Sequence, residues 1–250
     1  LENLVNFSEF WWSLNEKKKF EFIENNYPLR NAEGQLIQDW HFTEPQREWY
    51  RAGVLFIRDK NLLKNRIQVK SRGAGATQIC EALETLIGVQ IHPTVFVPFV
   101  AGIEDQSTLP ITYMKQLIVD CQYDIELSKP VEQQAETFLS FASGAWVKSF
   151  PGGNPEGIHG RRALWGYIDE FARARYQERL LQAVSYFFTE GGQLSLLSTY
   201  RGKNNKHWEI SQRWKELDWI RVDNLLFKNM EDFDINKPLM EQTHLILQSP

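Results

Sequence analysis

The chain has 250 residues, 42% of them hydrophobic and 13% aromatic, with a formal net charge of -4 at pH 7. That much core-forming material excludes a disordered chain, and the acidic balance excludes a uniformly basic nucleic-acid coat while leaving room for a local basic surface. The two cysteines, Cys80 and Cys121, argue for a reducing compartment and against a disulfide framework, and no C-x-x-C or H-x-x-x-H spacing offers a structural zinc site. No apolar run approaches the roughly 20 residues of a membrane span and the first residues lack a basic signal segment, so a soluble protein is expected. Because the sequence starts at Leu1 and stops at Pro250, it reads as a piece of a longer polypeptide.

Residues 1–40 carry Phe10-Trp11-Trp12 and Lys17-Lys18-Lys19-Phe20 in a pattern of short amphipathic helices, which predicts a packed helical appendage in preference to a DNA-contacting arm. Thr43 as cap and Pro45 in the first turn predict a helix from Glu44 to about Phe56. Arg66 to Lys70 reads as a strand, Ser71 to Ala76 as a glycine loop and Thr77 to Val89 as a helix. Thr94 to Ala101 is a buried strand, and Asp105 to Val119 the helix after it. A hairpin follows, with strands at 137–141 and 145–150 around Ala142-Ser143-Gly144, then the loop Pro151 to Pro155. The order continues with strand Ala163 to Asp169, helix Tyr176 to Phe188, strand Gln193 to Thr199, helix Lys206 to Leu217 and strand Trp219 to Val222. Alternating strands and helices predict an α/β core, a mostly parallel sheet with helices on both faces, and the helical appendage beside it.

The loop Ser71-Arg72-Gly73-Ala74-Gly75-Ala76-Thr77 has the context of a phosphate-binding loop, between a strand and a helix N-terminus whose dipole favours anions. Its usual lysine is replaced by Ala76, so Lys70 at the strand's end is the candidate phosphate donor and Arg72 the alternative. A second site, Leu164 to Glu170, ends an apolar strand in two carboxylates. Asp169 is placed to hold Mg²⁺ through water, and Glu170 to polarise the attacking water of an ATPase; the other reading is that the pair simply caps the helix that follows. The cations Arg173, Arg175, Arg201, Lys203, Lys206 and His207 flank these turns and are candidates to meet DNA phosphates non-specifically.

In order, Gln46, Lys70 to Thr77, Pro151 to Arg162, Asp169-Glu170 and Ser198-Thr199-Tyr200 resemble the ATPase domain of phage large terminase subunits, including members whose P-loop lysine comes early. The resemblance covers most of residues 40–220. It implies a P-loop NTPase core over residues 41–220, an appendage over 1–40 and an extension or linker start over 221–250, the nuclease domain being absent from this chain. It implies ATP and Mg²⁺ as cofactors, with Gln46 on the adenine edge, Thr77 and Asp169 on the metal, Glu170 as catalytic carboxylate and Ser198-Thr199 coupling hydrolysis to movement. Arg161 or Arg162 would complete a neighbouring subunit's site, with Arg72 an alternative in cis. Implied partners are double-stranded viral DNA, a portal protein, a small terminase subunit and further copies in a ring, in the host cytoplasm. The acidic cluster Glu231-Asp232-Asp234 reads as a solvated loop and not as a nuclease centre. The alternatives are a helicase-like translocase, and a gated module that binds ATP without turnover because of Ala76.

Overall fold

The computed structural model describes residues 2–31, 33–121, 130–158, 162–188 and 191–224. Its strands are β1 Arg66–Lys70, β2 Phe96–Ala101, β3 Pro130–Ala135, β4 Phe138–Phe141, β5 Trp146–Pro151, β6 Trp165–Asp169, β7 Gln193–Ser198 and β8 Ile220–Asn224. They form one sheet in the order β3-β4-β5-β2-β6-β7-β1-β8. The six strands from β5 to β8 in that order are mutually parallel, and β4 and β3 add an antiparallel edge. The central strands β1, β2, β6 and β7 are buried along their whole length, as parallel strands covered on both faces are, even though β1 and β7 carry the polar residues Arg66, Gln68, Lys70, Gln193, Ser195 and Ser198.

The helices are α1 Glu2–Ser13, α2 Glu16–Asn26, α3 Glu44–Arg51, α4 Glu84–Ile91, α5 Leu109–Asp120, α6 Gln177–Ser185 and α7 Lys206–Gln212. One sheet face packs Val97, Phe99 and Tyr167 against Leu83, Leu86 and Ile111, and Trp11, Phe20 and Ile23 of α1 and α2 join the same cluster. The other face packs Val100, Ile168 and Leu196 against Leu180 and Val184 of α6 and Ile210 of α7. Of the aromatic and basic residues near the N-terminus, Trp11, Lys19 and Phe20 are buried in packing, whereas Phe10, Lys17 and Lys18 are exposed. Trp11 is wholly buried with its indole N–H on the Leu55 carbonyl at 2.7 Å, and the Lys19 ammonium lies over the Trp12 ring. Among the described residues no helix is long and apolar enough to cross a membrane.

Several elements differ from the sequence reading. Helix α3 stops at Arg51 and not near Phe56, because the Gly53 N–H turns back to the Tyr50 carbonyl in a tight turn. The helix after the glycine loop opens as a π-helical segment, Ala76–Leu83, before continuing as α4. Its wider turns are rare and are frequently found at functional sites. Strand β3 was not expected, since its Gln/Glu-rich run lacks strand-forming residues. Helix α7 closes at Gln212, short of Leu217, and β8 runs on to Asn224 beside β1. Arg161 and the cluster Glu231-Asp232-Asp234 lie outside the described residues.

One buried polar network pins this frame. Arg66, at the start of β1, grips Glu84 at 2.9 and 3.1 Å, and both side chains are wholly buried. The Trp49 indole and the Tyr167 hydroxyl each donate to Glu84 at 3.0 Å, and Arg66 donates to the Trp49 carbonyl and the Ser195 hydroxyl. So β1 has a cation at each end, and the one at its N-terminal end is consumed by structure.

Candidate functional site

Parallel strands deliver their C-terminal ends to one sheet edge, and in open α/β sheets that edge is where ligands bind. Here it receives Lys70 from β1, Asp169 from β6, Ser198 from β7 and Asn224 from β8. Strands lie about 4.8 Å apart, so β1 and β6, with β7 between them, are separated by roughly 10 Å. Only a long side chain bridges that span. Lys70 does so, and the small Ser198, in register with Val69, ends β7 below its path.

The glycine loop leaves β1 with Gly73 and Gly75 at φ of 76° and 70°, left-handed values natural to glycine. At Gly75 a Cβ would also stand 2.9 Å from the tip of the Ile79 side chain, which would have to turn aside, so it is chiefly the left-handed backbone that strains another residue there. Two amides fasten the loop from outside. Gln46 donates to the Ala74 carbonyl at 3.2 Å and accepts from the Thr43 N–H at 2.9 Å, and Asn224 donates to the same carbonyl at 3.4 Å. Asn224 closes the circle by accepting from the Ser71 N–H through its own carbonyl.

The Lys70 ammonium donates to Asp169 Oδ1 at 2.6 Å and lies 3.3 Å from Glu170 Oε1. Thr77 Oγ1 donates to Asp169 Oδ2 at 2.7 Å. Lys70, Thr77, Asp169 and Glu170 therefore converge from separate stretches of chain into one cluster beside the loop. Burial lowers the pKa of Lys70, but the charges of Asp169, Glu170 and Glu81 outweigh it and hold the group above its ordinary value. The lysine is a fixed positive charge. Glu81, on the π-helical segment, is wholly buried, and neither carboxyl oxygen has a hydrogen-bond partner among the described residues. Burial and then the Asp169 charge push its carboxyl well above the usual range, so this wall of the site disfavours its charged form.

The turn after β6 is strained. Glu170 has φ of 51°, a left-handed conformation that costs a side-chain-bearing residue of order 1–3 kcal/mol and clusters at functional sites. It is held from three sides. Gly102, at the end of β2, donates to the Asp169 carbonyl at 2.7 Å, and a Cβ there would stand 2.3 Å from the Glu170 carbonyl oxygen. The Ala172 N–H donates to Ser198 Oγ at 3.1 Å, and Thr199 Oγ1 donates to Glu170 Oε2 at 3.4 Å. Arg173 Nε approaches the same Glu170 oxygen at 3.9 Å.

The other expected residues are distributed as follows. Arg72 is exposed and makes no ion pair with Asp169 or Glu170. Arg162 is exposed just before β6, at the sheet edge opposite the Asp169 end, so its own site is out of its reach. His207 is a correction: it is wholly buried, with Nε2 at 3.3 Å from the Gln68 carbonyl, and meets no external phosphate. Burial takes its pKa down to about 4. Arg173, grouped with the surface cations in the sequence reading, instead faces Glu170. Asn224, Gly102 and Glu81 escaped that reading altogether; a glycine directly after a buried strand was the one available signal among them.

The donor set suits a hard cation. Thr77 Oγ1 and Asp169 Oδ2 present a hydroxyl and a carboxylate oxygen side by side, and Mg²⁺ is commonly held by one or two carboxylates together with substrate phosphates. Among the described residues no group of three His, Cys, Asp or Glu side chains could hold a metal alone.

No family model matches the sequence, and no curated protein matches it. Solved structures do. The large terminase of a thermophilic bacteriophage, in complex with ADP, superposes with a TM-score of 0.59 at 14% identity, over 73% of this chain and 45% of that one. The HK97 bacteriophage large terminase gives 0.62 at 13% identity over 93% and 47%. The large terminase ATPase domain of Thermus phage P74-26 gives 0.50 at 14% identity over 74% and 81%. The chain thus spans about half the length of the first two. By structure it is similar to phage large terminases and to the ATPase domain of one of them, and it shares their fold.

Proposed function

We propose that the chain is the ATP-hydrolysing motor domain of a DNA-packaging terminase. The observation that carries this reading is the convergence of Lys70, Thr77, Asp169 and Glu170 at the mouth of a glycine loop, supported by a similar structure that is described with ADP. In this reading Lys70 takes the place of the lysine missing at Ala76. Its ammonium leaves Asp169 and Glu170 when the more concentrated charge of a triphosphate arrives, and it neutralises the terminal phosphates. Thr77 and Asp169, relieved of the lysine, would hold Mg²⁺, which would supply neutralisation of phosphate charge. The backbone N–H groups of Arg72, Gly73, Gly75 and Ala76 would line the phosphates, those of Ser71 and Ala74 being held by the Asn224 and Ser71 carbonyls.

Glu170 has the base's role. Its strained backbone and its contacts with Thr199 and Arg173 fix the carboxylate, which accepts a proton as water attacks the terminal phosphorus. The phosphorus–oxygen bond to ADP breaks, and ADP and inorganic phosphate leave. Gln46 would meet an adenine edge with the amide hydrogen and the oxygen lone pair left over from its Ala74 and Thr43 bonds, so the loop anchor and the base contact share one side chain. Ser198 and Thr199, anchored on the turn after Glu170, pass the change in that carboxylate's charge into the chain that follows. Arg161 and Arg162 are reserved for a neighbour in a ring, since Arg162 is far from its own site. Duplex DNA, a portal and a small subunit are the partners this function requires.

Phosphate release in the presence of duplex DNA and Mg²⁺ tests the reading. Glu170→Gln lowers the rate by about 10² to 10⁴, the usual worth of a general base. Lys70→Ala abolishes release, and Ala76→Lys restores part of it in that background. A second reading, a module that binds ATP without turnover, has the Lys70 lock on both carboxylates in its favour. Release by the parent that is no faster than by Glu170→Gln selects it.

A further inference from the structure

Behind the Glu170 turn, the N-terminal turn of α6 and the segment leading into α7 face each other across an open groove of about 900 Å³. Five cations and two carboxylates line it, in a chain whose net charge is -4. Two of the cations are spent internally: Lys206 is paired with Glu209 and Glu178, and Arg213 with Glu209 and Glu216. Arg175, Arg179 and Lys203 are exposed and form no ion pair with a carboxylate among the described residues. Each rests on an aromatic face instead. Arg175 and Arg179 lie 5.2 and 5.9 Å from the Tyr176 ring, and Lys203 lies 5.9 Å from the Trp208 ring. The rings hold the cations in place without neutralising them.

The groove is also wired to the catalytic turn. Gln177 donates to the Ala172 carbonyl at 3.0 Å, two residues after Glu170, and accepts from the Lys206 N–H at 2.7 Å. One side chain thus ties the turn after Glu170 to the start of α7. The segment from Thr199 to Asn205 forms the other connection, since Thr199 touches Glu170 and Lys203 lines the groove.

We propose that this groove holds the phosphodiester backbone of duplex DNA, with Arg175 and Arg179 on one wall and Lys203 on the other, and that Gln177 is the positioning residue that couples the groove to Glu170. This rests on the motor reading for the identity of the polyanion, while the groove itself is argued from charge. Unpaired cations on two walls match phosphates that recur along a strand, and such contacts read no sequence, as a translocating motor requires.

The test is fluorescence anisotropy of the chain with a labelled duplex of about 30 base pairs and mixed sequence, over a series of salt concentrations. The triple variant Arg175→Glu/Arg179→Glu/Lys203→Glu loses at least about tenfold in affinity, and the slope of log affinity against log salt falls by about 3. The control Lys17→Glu/Lys18→Glu/Lys60→Glu changes the same charge on exposed residues elsewhere and keeps the parent slope. Equal weakening of the two variants overturns the groove. So does a triple variant that keeps its duplex affinity but loses self-association in sedimentation, which makes the groove an interface between copies. Uptake of Mg-ADP by the parent, measured in parallel, separates this inference from the motor reading. A parent that takes up Mg-ADP but binds no duplex overturns the groove alone; one that binds duplex through these three cations without Mg-ADP uptake removes the nucleotide site and leaves the groove standing. For Gln177, the ratio of phosphate release with and without duplex is the readout. Gln177→Ala brings it to one while retaining duplex affinity, and an unchanged ratio removes the coupling.

Discussion

Replacing Lys70 by methionine keeps the apolar stem and removes the one cation that two carboxylates share. The ammonium is 2.6 Å from Asp169 and 3.3 Å from Glu170, and all three side chains are about nine-tenths buried. At an effective dielectric of about 20 those contacts are worth roughly 6 and 5 kcal/mol of gross attraction, most of which offsets the cost of desolvating the three groups. What decides the stability of Lys70→Met is the uncompensated acid pair it leaves behind, and breaking a buried pair in this way costs about 3–5 kcal/mol. In a chain of this size that lowers the melting temperature by about 2–4 °C for each kcal/mol. Urea unfolding of the nucleotide-free chain measures it. The double variant Lys70→Met/Asp169→Asn then recovers about 1–3 kcal/mol, because the asparagine carbonyl still accepts from Thr77 and one charge is gone. A cost below about 1 kcal/mol for the single variant, with the two substitutions simply additive, would mean that water and not Lys70 balances the carboxylates, and the reasoning would fail.

Glu84→Gln leaves Arg66 wholly buried with a neutral partner and costs about 3–5 kcal/mol in the same urea assay, with no effect specific to nucleotide. Gly102→Ala drives a Cβ into the Glu170 carbonyl, so it costs about 1–3 kcal/mol and displaces the strained turn; it lowers phosphate release more than it lowers nucleotide affinity. His207 gives a pH signature. Its pKa is near 4 in the folded chain against 6.5 unfolded, so the unfolded state takes up the proton first. The stability present above about pH 6.5 is therefore lost as pH falls towards 4, by about 3 kcal/mol in all. His207→Phe removes that part of the acid slope in denaturation curves taken between those two pH values.

The four convergent residues were legible in the sequence because each sits where a local pattern ends: Lys70 closes a strand that alternates Ile67 and Val69 with polar residues, Asp169 closes a mostly apolar one, Thr77 opens a helix after glycines, and Glu170 follows Asp169. Their actual meeting depended on strand order, which no local pattern encodes, and on β7 ending in a small residue between them. Arg66 illustrates what stays hidden. In sequence it and Lys70 are cations at the two ends of one strand, and only packing shows that the first is locked by Glu84 while the second faces the site. His207 misled for the same reason, since its place among Arg201, Lys203 and Lys206 suggested a basic surface while the helix turns it under the sheet. Helix ends shifted where tertiary turns intervened, as at Gly53. The π-helical opening after Gly75 has no signature in composition or period.

The most direct measurement is a structure of the chain with Mg²⁺ and a slowly hydrolysed ATP analogue. The account predicts the Lys70 ammonium within hydrogen-bonding distance of a β- or γ-phosphate oxygen, with Thr77 and Asp169 on the metal and Glu170 facing the γ-phosphorus through one water. A lysine still closed on Asp169 and Glu170, with the phosphates held by other groups, would contradict it.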